Sequence, residues 1–165
     1  MIDEPRLAGE PSAFHTIILG GLAIGVLDFI DASTFFPLYF GITVARVWQS
    51  VAAGVLGREA AVAGGWNTAA LGIFLHFVVA FSIAAVYFFL SRNVPLLVRR
   101  PVISGLVYGI VANYVMQFVV IPLSALGWRS SAFDLGSTLN SVVGHAFLVG
   151  LPVALIANWS AKKDS

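Results

Sequence analysis

The stretch GGLAIGVLDFIDASTFFPLYFG, Gly20 to Gly41, decides the fold: it is almost entirely apolar and about as long as a bilayer is thick, yet it carries Asp28 and Asp31 in its interior. The rest of the chain settles which solvent it meets. Hydrophobic residues make up 59% of the 165 residues and charged ones only 10%, and the mean hydropathy is +0.92, more apolar surface than a soluble globule of this size can carry. A membrane crossing needs roughly 20 apolar residues to traverse about 30 Å of hydrocarbon. Runs without Asp, Glu, Lys or Arg lie at Thr68–Ser91, Pro101–Trp128 and Leu135–Ala161. With the opening segment they predict an all-α polytopic membrane protein: four transmembrane helices in a bundle, at about 15–38, 68–91, 101–122 and 138–160, forming one transmembrane domain over 1–165.

The N-terminal MIDEPRLAGE sets Asp3, Glu4 and Glu10 against Arg6, and without a positive n-region it reads as no cleavable signal. The first span is therefore expected to stay as an anchor. The absence of cysteine removes disulfides, thiolate metal sites and cysteine nucleophiles together. Positive charge is retained on the cytoplasmic side. With both termini inside, Arg6, Arg92, Arg99, Arg100, Lys162 and Lys163 face Arg46, Arg58 and Arg129 across the membrane, six against three. Between the first two spans, Ile42 to Leu56 reads as a short helix at the outer interface, with Trp48 at headgroup depth and Arg46 and Gln49 turned to water. A re-entrant piece is the other reading, and Gly64-Gly65 marks the turn into the second span.

Counting inward from helix ends near Pro37, Thr68, Pro122 and Thr138 places Asp31 and Asp28 about 6 and 9 residues deep, His76 about 8, Gln117 and Asn113 about 5 and 9, and His145 about 7, or roughly 8 to 14 Å at 1.5 Å per residue. These polar side chains share one layer. They also share faces with small residues, because positions three or four apart align on a helix. Asp28 and Asp31 continue as Gly21 and Gly25; Gly105, Gly109, Asn113 and Gln117 form one stripe; Gly72, His76, Ala80 and Ala84 another; Ser137, Ser141 and His145 a third. Small residues let helices approach closely in lipid, so these faces are expected to point inward.

Taken singly, Asn113 and Gln117 read as ordinary interhelical hydrogen-bonding residues. A carboxylate at membrane depth costs on the order of 3 kcal/mol on the lenient insertion scale, and this sets Asp28 and Asp31 apart. Asp28, Asp31, His76 and His145 suit a divalent metal, as imidazole nitrogen plus carboxylate oxygen, or a proton relay. Two histidines on different spans also fit axial haem ligation, with Gly72 and Gly144 leaving room, but the carboxylates would then have no role. No HExxH, GxSxG, rhomboid-like Ser-His pattern, phosphate loop or basic aromatic nucleic-acid surface is present, so a non-enzyme is expected.

The features His76, Tyr87, Pro122-Leu123, Phe133-Asp134 and Gly144-His145, within LHFVVAFSIAAVYFFLSRNVP, SGLVYGIVANYVMQFVVIPLSALGWRSSAFDL and SVVGHAF, are similar to those of the YagU-like family of bacterial inner-membrane proteins. The match covers about residues 71 to 159 and leaves out Asp28 and Asp31. That resemblance implies a location and a topology, since the family has no settled activity. The expectation is thus an inner-membrane protein, partnered by the bilayer and by further copies of itself or another membrane protein, that binds or passes a proton or small cation at Asp28, Asp31, His76, Asn113, Gln117 and His145. The competing expectation is a scaffold or accessory subunit whose polar layer only locks helix packing.

Overall fold

The computed structural model of the chain describes residues 11–128 and 134–163. Arg6, Arg129, Phe133 and the acidic residues of the N-terminal segment lie outside these. Seven helical elements follow in order: α1 (Phe14–Phe40), α2 (Val44–Leu56), α3 (Arg58–Ala63), α4 (Gly65–Asn93), α5 (Leu96–Arg99), α6 (Pro101–Leu123) and α7 (Leu135–Lys163). No strand occurs among the described residues. Helices α1, α4, α6 and α7 are the four that are long and apolar enough to cross a membrane, and each extends the corresponding expected span by a few residues at most.

Local sequence explains the breaks. Gly41 stops α1 with φ +66°, a left-handed conformation that costs glycine little, and its N–H returns to the Pro37 carbonyl. Thr43 then caps α2, its Oγ1 accepting from the Arg46 N–H at 3.2 Å. Gly57, at φ +78°, separates α2 from α3. The expected turn at Gly64-Gly65 opens α4, with Gly65 at φ +57°.

The ends of the long helices define two faces of the molecule. The terminal face gathers the start of α1, the end of α4, α5, the start of α6 and the end of α7. There Tyr87 Oη donates to the Leu97 carbonyl (2.9 Å), Ser104 Oγ to that of Leu96 (3.2 Å) and Asn158 Nδ2 to that of Val98 (2.7 Å). Three spanning helices thereby hold the carbonyls of the short α5. Arg92, Arg99, Arg100, Lys162 and Lys163 all lie at this face. The opposite, loop face carries Arg46, Arg58, Glu59 and Asp134.

Two backbone seams organise the bundle. Along α6 and α7 the helices meet without intervening side chains: a Cβ built on Gly109 would lie 2.1 Å from the His145 carbonyl oxygen, and one on Gly150 would lie 2.0 Å from that of Gly105. The expected inward Gly105/Gly109 stripe thus meets α7, where Gly150 and Ala154 complete it. The second seam joins α2 to α4, with a Cβ on Gly72 falling 1.8 Å from the Trp48 carbonyl oxygen. In lipid, close approach of this kind substitutes packing and weak polar contacts for a hydrophobic driving force. Outward faces stay apolar, as Phe74, Ile103 and Phe118 show.

The α2 seam corrects one expectation. Gln49 is not turned to water, and the Trp48 ring packs inside the bundle. Trp48 is 1% exposed, stacked on Phe29 with ring centroids 4.7 Å apart and donating Nε1–H to Ser33 Oγ at 3.2 Å. Gln49 is buried, and its Nε2 donates to the Gly65 carbonyl at 2.9 Å. Only Arg46 keeps its expected exposure. Aromatic partners from α1 and α4, Phe29 and His76, are available to Trp48 here, so its ring is enclosed by the protein.

At the loop face Asp134 caps α7. Its Oδ1 accepts from the Ser137 N–H at 2.7 Å, and Tyr39 Oη donates to Oδ2 at 3.3 Å, tying the end of α1 to the start of α7. The Ser137 backbone N–H, helped by its side chain, holds the Asp134 carboxyl below its ordinary 3.8. A lowered native value stabilises the fold above the unfolded value, and the contribution disappears as pH falls through the lowered one. Asp134→Ala should therefore melt below the wild type at neutral pH, with the gap closing as pH falls through the lowered carboxyl value. A gap that persists in acid would mean that the carboxylate is not what caps α7.

Candidate functional site

Between the spanning helices, toward the loop face, lies a cavity of about 290 Å³. Its polar wall is made by Asp28, Asp31, His76, Gln117, Asn140 and His145, and its apolar wall includes Phe36, Val79, Ile83 and Ile121. Five of the six residues anticipated from depth counting reach this wall. Asn113 is the sixth. It is buried behind the wall and holds it in place, its Oδ1 accepting from Ser141 Oγ.

His76 is oriented from three sides. Its ring lies edge-on to Trp48 at 5.1 Å and to Phe77 at 5.3 Å, while its Nε2 meets the Gly25 carbonyl at 2.9 Å. A carbonyl only accepts, so Nε2 carries the proton. In the neutral ring Nδ1 is then a bare acceptor, and it faces Asp28 Oδ2 at 3.8 Å. That separation is beyond a direct hydrogen bond. It brings two acceptors toward each other, an arrangement that an added proton or a shared donor relieves. No donor among the described residues reaches the Asp28 carboxylate, and its side chain is 23% exposed, into the cavity.

His145 repeats the pattern. Its Nδ1 meets the Ser141 carbonyl at 3.0 Å, so the proton sits there and Nε2 is left as an acceptor. Asp28 is within Coulombic reach of both imidazoles and of Asp31. Asp31 itself pairs with neither histidine. It accepts from Asn140 Nδ2 at 3.0 Å, and its Oδ2 lies over Gly144, where a Cβ would stand 3.5 Å away.

Two of the three wider, π-type turns among the described residues fall at this level: Met116–Val120, which carries Gln117, and His145–Gly150. Such turns are rare and concentrate at functional positions. Among the described residues no group of three or more His, Asp or Glu side chains that could hold a metal ion is found. Asn140 had no place in the expected layer, although its position one turn before Gly144 puts it on the α1-facing side of α7. Trp48 was assigned to the interface, and its part in fixing His76 is visible only once α2 is packed.

No protein-family model, curated protein or solved structure matches this chain.

Proposed function

We propose that this chain is a multi-pass protein of the bacterial inner membrane that binds or passes a proton or small cation at the Asp28/His76 cavity. The observation that carries the reading is the approach of a carboxylate without hydrogen-bond donors to an imidazole whose facing nitrogen is also an acceptor, at membrane depth. A buried carboxylate in lipid is costly and is kept where it meets an ion, a proton or a partner. With no three-ligand cluster among the described residues, a proton is the simplest occupant. Asp31, Gln117 and His145 line its path, and Asn113 holds the wall.

Proteoliposomes carrying the wild type should dissipate an imposed pH or cation gradient, and Asp28→Asn should lower that flux at least tenfold while circular dichroism shows the same helix content. The scaffold reading draws support from the Ser141–Asn113 bond, which locks α6 to α7 without needing an occupant. Wild-type flux no greater than that of empty vesicles would favour it.

The location follows from the YagU-like resemblance, and cytoplasmic termini follow from the basic terminal face. In this arrangement α2 and α3 cover the outer side of the bundle, and a second copy or another membrane protein completes the assembly. The chain has no cysteine, so single introduced ones report cleanly. A cysteine at exposed Asn93 should be shielded from an impermeant thiol reagent in intact cells, and one at exposed Glu59 should react. The reverse pattern would invert the orientation.

A further inference from the structure

Helices α4 and α6 are joined near the terminal face, where Tyr108 Oη donates to the Ile83 carbonyl at 2.6 Å and the Tyr87 and Tyr108 rings meet edge-on at 4.9 Å. Toward the loop face α2 bridges them, its Trp48 carbonyl oxygen lying against Gly72 of α4 and its Gly54 carbonyl accepting from the Ala125 N–H just after α6 at 2.8 Å. The cavity reaches from Val79 and Ile83 on α4, past Val47 and Val51 on α2, to Met116, Gln117 and Ile121 on α6. The Gln117 amide has no partner among the described residues. An unpaired carboxamide in a membrane-spanning helix is costly, and a polar occupant of the cavity offsets that cost.

The two ends of the cavity differ in chemistry. Deep in the wall, Asp28, Asp31 and the Nδ1 of His76 are all acceptors, two of them carboxylates. Val79, Ile83 and Ile121 make an aliphatic part of the same wall. Such a space matches a molecule with a cationic head bearing several N–H donors and a short apolar body. At about 290 Å³, the volume lies at the lower limit of small-molecule pockets, roughly 300 Å³ and upward, which excludes a two-chain lipid. Resting on the reading that this cavity handles cations, we infer that its occupant is a small lipophilic primary ammonium. Its N–H groups would satisfy Asp28 Oδ2 and His76 Nδ1 together while leaving the imidazole neutral. A neutral alcohol of the same shape brings a single donor and no charge.

The test uses the full chain in phosphatidylcholine nanodiscs, with empty nanodiscs subtracted, and equilibrium dialysis of 4-phenylbutylammonium against 4-phenylbutan-1-ol. Saturable binding of one ammonium per chain is expected, at least tenfold tighter than the alcohol. Asp28→Asn should weaken the ammonium at least tenfold, and Val79→Trp, which fills the aliphatic half, should do the same without touching the polar wall. Equal binding of the two probes would overturn the inference, and that comparison needs the wild type alone. Ammonium binding unchanged in a folded Asp28→Asn protein would overturn it too. Absent ammonium binding alongside a gradient flux that Asp28→Asn abolishes would end this inference and leave the proton reading intact. Absence of both would end the two together.

Discussion

Gly109→Ala and Gly150→Ala should each lower the melting temperature in detergent sharply, whereas Gly54→Ala should raise it or leave it unchanged. All three exchange a helical glycine for the best helix former, which by itself favours the helix by up to about 1 kcal/mol. The sign is set by what the new methyl meets. At Gly54 the nearest atoms are Ser124 Cβ and Oγ at 3.7 and 3.8 Å, ordinary contact distances. At Gly109 they are the His145 carbonyl oxygen at 2.1 Å and Ala146 Cα at 2.7 Å, and at Gly150 they are the backbone of Gly105 and Gly109 at 2.0 to 2.7 Å. Backbone cannot rotate aside as a side chain does, so α6 and α7 must separate by more than an ångström along a seam held by close packing. The cost belongs at the upper end of overpacking, about 3 kcal/mol or more. Equal melting of all three variants would show that the seam is looser in the membrane than drawn here.

Trp48→Ala should cost about 3–5 kcal/mol, the range for removing a buried large aromatic and leaving its cavity. The side chain is fully enclosed, touches Phe29 and His76 through its ring, and binds Ser33 through its N–H. Its removal therefore takes contacts from α1 and α4 at once. Trp48→Phe keeps the stack on Phe29 and gives up the hydrogen bond, for about 1 kcal/mol. Thermal denaturation of the two variants in one detergent measures the difference. A loss below that of Trp48→Phe for the alanine variant would mean that α2 is held by Gly72 alone.

Much of this arrangement is written plainly in the amino-acid order. Charge-free length marks three of the four spans, because hydrocarbon excludes Asp, Glu, Lys and Arg, and the first is marked by its apolar length in spite of Asp28 and Asp31. Depth is equally readable, since rise per residue is constant along a helix. It brings Asp28, His76 and His145 to one level. Azimuth is not readable in the same way. A single level leaves open which side chains converge across the bundle, and Asp31 turns to Asn140 instead of joining a metal-like cluster. The π-type turns add to this, because each inserts an extra residue and rotates Gln117 and His145 away from the angle that a 3.6-residue count assigns. Amphipathicity misled at α2 for a related reason. Gln49 reads as a water-facing residue until the Gly65 carbonyl, sixteen positions away, is known to be its partner.

The three hydrogen bonds that hold α5 give the molecule a mechanical asymmetry. One end of the α4/α6 pair is stitched by Tyr87, Ser104 and Asn158, with Tyr108 as the last fastening. From Tyr108 to Ile121 the helix runs 13 residues, about 20 Å of lever arm. At the far end of that arm the two helices are held at one remove, through α2, whose backbone abuts Gly72 and whose Gly54 carbonyl accepts from the Ala125 N–H at 2.8 Å. The terminal end is thus fastened by side chains of the spanning helices themselves, and the loop end by a separate short helix laid between them.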